Sequence, residues 1–211
     1  MKKAVLILFV LMSLAKISEA QKGSWLLYGN AGFGSSSDSF DFKSNAYTIS
    51  PGIGYQFKDR WTAGLNFSFG GTRNEIAASP EVPSGNYDET SFFNVGPFLR
   101  YSYPISDIFS IYGQAEVSYL SGNITPYGLD GGSYTGFGAD FFPAIGVNIK
   151  NGFALNLSFG GISYQTKSYK GQYYSNQIPS AANSASQFAI TFGQGATFGI
   201  SKNFGGEKHK S

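Results

Sequence analysis

The sequence comprises 211 residues, of which 15 are Lys or Arg and 13 are Asp or Glu, so the formal net charge is +2. Only 13% of the residues are charged and 17% are aromatic, and the chain has 28 glycines and no cysteine. The near-neutral balance argues against nucleic-acid binding, the aromatic content argues against disorder, and the lack of cysteine excludes disulfides and zinc–thiolate sites.

Residues 1–20 are predicted to form a cleaved secretory signal peptide. Lys2 and Lys3 precede an apolar run over residues 4–14, and Ser18-Glu19-Ala20 supplies the small residues that a signal peptidase reads. The run is too short to cross about 30 Å of hydrocarbon. The sequence therefore predicts export and a mature chain that begins at Gln21.

From residue 24 onward, apolar and polar residues alternate with a period of two, which is typical of β-strands with two different faces. The alternation falls into eight runs, each about as long as a tilted strand that crosses a bilayer. The runs cover residues 24–33, 47–57, 61–70, 93–103, 109–119, 137–148, 153–159 and 188–204.

The connections between these runs alternate between short and long. The short ones lie near 58–60, 104–108 and 150–152, and the long ones at 34–44, 72–90, 122–134 and 166–186. This pattern predicts an all-β domain over residues 21–204: an eight-stranded antiparallel up-and-down transmembrane β-barrel with short periplasmic turns and four longer external loops.

The composition of the polar face indicates which side of the barrel faces water. Its charges are essentially Arg100, Glu116 and Asp140, and the rest is small or neutral. A solvated exterior normally carries many charges, whereas small residues suit the inside of a narrow barrel. We therefore expect the apolar face to contact lipid; a secreted soluble barrel with the opposite orientation is the alternative.

Aromatic residues gather at both ends of the apolar face, which predicts two interfacial girdles. The members near the short turns are Tyr55, Phe57, Trp61, Tyr101 and Tyr103, and those near the long loops include Phe33, Phe69 and Tyr119.

Three prolines, Pro51, Pro97 and Pro143, fall within predicted strands, where proline removes a hydrogen-bond donor. We expect a local bulge at each of them. A further bulge is predicted at Gly160-Gly161, because the parity of the apolar residues shifts there.

The mature start QKGSWLLYGNAGFG and the glycine–aromatic segment GYQFKDRWTAGLNFSFGG resemble the small outer membrane protein β-barrel family of Gram-negative bacteria, which comprises OmpX, OmpA-barrel and OmpW-like proteins. The resemblance implies residence in the outer membrane, contact with its lipid and lipopolysaccharide, and insertion by the outer-membrane assembly machinery. It also implies that Phe204, in TFGISKNF, is the aromatic residue this machinery reads. Lys202 departs from the apolar residue expected near that signal, and residues 205–211 are predicted to form a polar periplasmic tail.

Arg100, Glu116 and Asp140 are predicted to form an ion-pair network inside the barrel. Counting across the 122–134 connection places Glu116 opposite Asp140 on neighbouring strands, and two carboxylates in a dry lumen favour a nearby cation. The network either fills the barrel structurally or forms a proton- or ion-conducting gate or an acid pair for catalysis. Enzymatic activity is not expected, because the single histidine, His209, lies in the tail.

The long loops are the candidate recognition surface, with Tyr169, Tyr173 and Tyr174 as candidate contacts because tyrosine-rich, serine-rich loops suit adaptable binding. The sequence thus favours a non-enzymatic barrel with a structural or surface-interaction role and an unidentified external ligand. An OmpW-like conduit for small, mostly apolar molecules, entering from the loop side and leaving laterally, is the alternative. No cofactor, metal or nucleic acid is expected.

Overall fold

The computed structural model describes residues 22–37, 43–75, 87–126, 131–171 and 184–205. In these ranges each of the eight predicted runs forms one strand, because the period-two alternation gives every strand one apolar and one polar face. The strands are β1 (Trp25–Ser37), β2 (Lys43–Lys58), β3 (Trp61–Glu75), β4 (Tyr87–Pro104), β5 (Phe109–Thr125), β6 (Gly132–Lys150), β7 (Phe153–Lys170) and β8 (Ser184–Phe204).

Each strand pairs antiparallel with its neighbours in sequence, and β8 pairs with β1 to close the barrel. The short turns occupy residues 59–60, 105–108 and 151–152, so both ends of the barrel chain lie on the short-turn side. The predicted eight-stranded up-and-down topology is confirmed. No helix in the described ranges is long and apolar enough to span a membrane.

The strands run further toward the loop side than the sequence pattern predicts. β3 continues to Glu75, β4 starts at Tyr87 and β8 starts at Ser184, all inside segments predicted as long connections. These extensions are rich in Ser, Thr, Asn and Gly on both faces. Strand residues that contact neither lipid nor a core carry no hydrophobic alternation, so the pattern could not reveal them.

The apolar face of the barrel points outward, as predicted. Ile53, Leu65, Leu99 and Ile111 are exposed on the outer surface, whereas Thr62 and other polar side chains are buried inside. This orientation is opposite to that of a soluble barrel with an apolar interior and rules out that alternative.

The three prolines interrupt the hydrogen-bond ladder on one side only. Pro51 has a partner on β1, Pro97 on β3 and Pro143 on β5, but none of them has a partner on the strand that follows. The expected bulge occurs at Pro143, where the β6–β7 register shifts between Phe141 and Ala144. It is absent at Pro51 and Pro97, where the register continues unchanged across the missing pairs. At Pro51 and Pro97 the missing N–H therefore leaves residues without a ladder partner, but it does not insert the extra residue that defines a bulge.

The predicted bulge at Gly160-Gly161 is confirmed. Ser158 pairs with Thr197 and Gly160 pairs with Phe192, so two steps along β7 correspond to five along β8. Gly160 has a φ of 95°, a backbone conformation that residues with a Cβ rarely adopt.

The seam between β1 and β8 is paired only at the short-turn end. Its ladder joins Trp25–Asn30 to Phe204–Gly199 and stops there, although β1 continues to Ser37. Above Asn30 the described residues contain no further β1–β8 pair, which leaves an unpaired gap in the loop-side half of the wall. We call this gap the β1–β8 portal.

The β6–β7 turn provides the first testable prediction. Asn151 and Gly152 have φ values of 56° and 75°, the geometry of a two-residue hairpin turn that matches strand twist. Gly152→Ala should lower the free energy of unfolding by about 1 kcal/mol, because alanine is strained at positive φ. Urea unfolding in lipid vesicles measures this change. An unchanged midpoint would show that the turn relaxes to another geometry.

Candidate functional site

Gln114, on β5, is the centre of a polar network in the lumen and is almost fully buried. Its Oε1 accepts hydrogen bonds from Arg100 Nε at 2.9 Å and Arg100 Nη2 at 2.6 Å. Its Nε2 donates to Tyr28 Oη at 3.1 Å and to Glu116 Oε2 at 3.0 Å. One amide therefore links β1, β4 and β5 through the interior.

The Arg100 guanidinium is packed against aromatic rings inside the barrel. Its Cζ lies 4.5 Å from the centroid of Tyr28 and 4.2 Å from that of Tyr112. Arginine stays charged in proteins, and ring faces together with an amide oxygen stabilise a cation that has left water. The Tyr28 ring also meets Phe98 edge to face, with centroids 5.3 Å apart.

Glycines on the neighbouring strand make room for these rings. A Cβ at Gly52 would overlap the Tyr28 ring, and a Cβ at Gly54 would press on Phe98. The interior of an eight-stranded barrel is only just wide enough for side chains, so the Tyr28 and Phe98 rings fit because these two positions have no Cβ. Together, Arg100, Gln114 and their aromatic neighbours form what we call the lumen plug: Tyr28, Phe98, Arg100, Tyr112 and Gln114.

The predicted ion-pair network takes a different form. Glu116 lies directly opposite Asp140 across β5 and β6, as the register count predicts. The expectation that Arg100 reaches these carboxylates is wrong: within the described residues no ion pair joins Arg100 to either of them. Gln114 is the direct cross-strand partner of Arg100, and its amide oxygen accepts the hydrogen bonds of the guanidinium. Glu116 accepts one hydrogen bond from the amide nitrogen of Gln114 instead.

Above the plug the lumen widens into polar cavities. One, of about 180 Å³, is lined by Glu116, Asp140, Asn66 and Asn94. A second, of about 470 Å³, adjoins it and extends from Asp140 toward the β1–β8 portal. In the part of the chain that the structure describes, the Asp140 carboxylate has no hydrogen-bond or ion-pair partner. It borders both cavities.

Below the plug, polar side chains fill the short-turn end of the barrel. Ser24 Oγ donates to Gln56 Oε1 at 3.2 Å, and Gln56 Nε2 donates to the Asp59 carbonyl at 2.8 Å. Ser24, Gln56 and Thr62 are all buried. Side chains therefore close the lumen over both of these layers.

The β1–β8 portal has an aromatic rim. Phe33 on β1 and Phe192 and Phe198 on β8 are 79%, 62% and 72% exposed, among the most exposed large side chains of the barrel. Asn30 and Thr197, one on each side of the gap, line the cavity behind this rim. Exposed aromatic rings thus lie on the outer face of the portal, and polar side chains of the cavity lie behind it.

The structure places the residues of both predicted girdles on the outer face. At the short-turn end, Trp25 packs on Tyr55 and Trp61 on Tyr101, with centroids 5.3 and 4.9 Å apart. Arg60 donates to Tyr101 Oη at 3.3 Å and lies 4.7 Å above the Tyr103 ring. Phe57 is exposed at the same end. At the other end, Phe33 pairs with Tyr47, Phe69 with Phe93, and Tyr119 with Phe137.

Of the three candidate loop contacts, one lies in a described range. Tyr169 belongs to β7 and packs on Tyr134 with ring centroids 5.8 Å apart. Lys167 Nζ lies 4.7 Å from the Tyr134 centroid. Tyr169 therefore sits at the mouth of the barrel rather than in a loop, and Tyr173 and Tyr174 lie outside the described residues.

Phe204 ends β8 and pairs with Trp25 of β1, so the candidate assembly-signal residue lies at the seam. Lys202 shares its outward face, and its Nζ lies 4.0 Å from the Phe153 ring centroid and 5.2 Å from that of Phe204. The buried lysine contributes its apolar stem and a cation–π contact at this position.

The sequence alone did not reveal Gln114 and Tyr28 as parts of the plug. A neutral amide on the polar face looks like any other small polar residue, and only the register places Gln114 beside Arg100. A usable signal for Tyr28 was present. It is an aromatic residue on the polar face of β1, opposite Gly52 of β2.

A family model for the outer membrane protein beta-barrel domain matches residues 4–198. The chain belongs to this family. The match covers almost the whole barrel, so the protein is an outer membrane β-barrel of the Gram-negative type. No curated protein sequence matches the chain.

Solved structures similar to this outer membrane barrel include three small barrels. Neisserial surface protein A (NspA) is 16% identical, with 88% of this chain and 100% of that chain covered and a TM-score of 0.44. OprG of Pseudomonas aeruginosa is 14% identical, with 90% of this chain and 99% of that chain covered and a TM-score of 0.49. Ail, the attachment invasion locus protein of Yersinia pestis, is 14% identical, with 87% of this chain and 100% of that chain covered and a TM-score of 0.40.

Proposed function

We propose that the protein is a non-enzymatic outer membrane barrel with a structural or surface-interaction role, carried by its loop-side end. The observation behind this proposal is the lumen plug. Arg100 and Gln114 are buried between aromatic rings where a pore would have to pass. A barrel closed at this level can act through its surfaces, but it does not conduct from one end to the other.

The loop-side end suits a surface role because the strand extensions carry charged and aromatic side chains there. Lys43 Nζ lies 4.0 Å from Glu75 Oε2, and the Arg73 guanidinium lies 3.8 Å above the Tyr87 ring. These side chains place positive and negative charges on the outer face above the upper girdle. Lipopolysaccharide phosphates are the natural partners of the cations there, and an external ligand would contact the same end.

The absence of catalysis is part of the proposal. Glu116 accepts a hydrogen bond from Gln114, and Asp140 lies beside Glu116 on the neighbouring strand, above the plug. The single histidine of the chain, His209, lies in the C-terminal tail, far in sequence from both carboxylates. A serine nucleophile would need an activating base beside it, and the plug provides an amide instead.

Planar-bilayer recording tests the closed barrel. The purified protein should add no stepwise conductance to the bilayer at 1 M salt (an assay condition), whereas gramicidin added to the same bilayer should conduct. The plug leaves an adjoining space of only about 40 Å³, room for a water molecule or so. Reproducible unitary steps from the folded protein would overturn the proposal.

A second candidate function is the conduit for small, mostly apolar molecules. The β1–β8 portal supports it, because a solute that enters from the loop side meets an opening toward lipid above the plug. Proteoliposome uptake of a small apolar solute tests it. Uptake that matches protein-free liposomes would eliminate this candidate and leave the surface role standing.

A further inference from the structure

The cavity behind the β1–β8 portal combines a polar interior with direct access to the membrane. Its volume of about 470 Å³ lies within the range of small-molecule sites. Asn30, Ser158, Ser163 and Thr197 supply amide and hydroxyl groups, and Asp140 supplies the charge. The cavity shares Asn30, Asp140 and Phe142 with the smaller cavity that reaches Tyr28 and Gln114 of the plug.

We propose that this cavity binds a single-chain amphiphile with a protonated amine head, whose alkyl chain passes through the portal into the lipid. This goes beyond both functions above, because it assigns a ligand site and requires neither transport nor a surface partner.

The head group is assigned from the charges that surround the cavity. Asp140 lacks a partner among the described residues, and Glu116 opposite it adds a second negative charge. The cation of the plug does not compensate Asp140, because Arg100 is bound by Gln114 and covered by the Tyr28 and Tyr112 rings. An ammonium group placed here would form charge-assisted hydrogen bonds with Asp140. A carboxylate or phosphate head would be repelled.

The alkyl chain is assigned from the portal. Phe33 on β1 and Phe198 on β8 belong to the two strands that flank the portal, and both rings are largely exposed. Unpaired strand edges are costly in hydrocarbon, and within the described residues β1 has no partner on β8 beyond Asn30. A chain lying between these rings would cover the apolar rim while its head stays with the polar groups inside.

Photolabelling in phosphatidylcholine vesicles tests the proposal. The probe is dodecylamine carrying a mid-chain diazirine, and its neutral counterpart is the dodecanol with the same diazirine. We expect the amine probe to label β1 and β8 residues at the portal about tenfold more strongly than the alcohol probe does, because a charge-assisted hydrogen bond is worth about one order of magnitude in affinity or more.

Asp140→Asn should abolish this preference for the amine. Glu89→Gln, which removes a carboxylate from a loop-side strand extension outside the cavity, is the matched control and should leave the preference unchanged. Heat-modifiable gel migration verifies that each variant is folded. Equal labelling of wild type and Asp140→Asn would overturn the assignment of the head group.

Gly32→Trp tests the portal independently of charge. A Cβ at Gly32 meets no atom within 4 Å, so a side chain can begin there without colliding with the neighbouring backbone. This variant should lose portal labelling by both probes while remaining folded. Labelling spread evenly over the outer face, unaffected by Gly32→Trp, would show that the probes only partition into lipid, and the site would be rejected.

Discussion

Replacing Arg100 with alanine should lower the free energy of unfolding by about 3–5 kcal/mol. The variant loses two hydrogen bonds to Gln114 and the contacts with the Tyr28 and Tyr112 rings. It also leaves the Gln114 oxygen unsatisfied and a space where the guanidinium was. Losing one partner of a buried charged contact typically costs this much. Urea titration in lipid vesicles, followed by the fluorescence of Trp25 and Trp61, measures the loss.

Arg60→Ala is the matched control for Arg100. Arg60 also contacts a tyrosine hydroxyl and a tyrosine ring, but it lies exposed at the β2–β3 turn. Solvent screens an exposed contact of this kind, so Arg60→Ala should destabilise the barrel far less than Arg100→Ala. If the two variants were destabilised equally, the burial of Arg100 would not be what makes it important, and the plug would lose its energetic basis.

Replacing Gly64 with alanine should destabilise the barrel by about 3 kcal/mol, the upper part of the usual range for overpacking. A Cβ at Gly64 would collide with the carbonyl oxygen of Ile53 and with Gly54, both on the neighbouring strand. These are backbone atoms that cannot rotate away, so β2 and β3 would have to separate. Overpacking that moves backbone costs about 1–3 kcal/mol and occasionally more. Heat-modifiable migration and urea unfolding both report the change.

Gly32→Ala provides the comparison, since it places the same methyl group on β1 where no atom lies within 4 Å. It should leave stability unchanged or raise it by up to about 1 kcal/mol, because alanine restricts the unfolded chain. A loss at Gly32 as large as that at Gly64 would indicate that glycine flexibility matters here, rather than the close approach of β2 and β3.

The regular hairpins made much of the barrel predictable from the sequence. Where a short turn joins two alternating runs, the register follows from counting, and even across a longer connection the count placed Glu116 opposite Asp140. The β1–β8 seam has no turn to fix it, because its strands come from the two ends of the barrel. The sequence therefore could not predict that β1–β8 pairing ends at Asn30, nor that a portal follows it.

The contacts of the lumen were less predictable for a different reason. Arg100 was correctly assigned to the interior, but its partner depended on which side chain a long, flexible guanidinium meets first. Opposite charge pointed to Glu116 and Asp140, whereas cross-strand position gave Gln114. Proline had a similar ambiguity. The sequence indicates a lost donor at Pro51 and Pro97, but not whether the strand accommodates it by a bulge or by a missing pair.

The long strand extensions carry the described part of the barrel wall well beyond the upper girdle. β3 runs six residues past Phe69 of that girdle, to Glu75. At about 3.4 Å per residue and a tilt near 40°, this corresponds to roughly 15 Å above the girdle. A peptide grafted between Glu75 and Tyr87 would therefore start from a rigid collar at that height, within reach of an antibody or a protease approaching from outside.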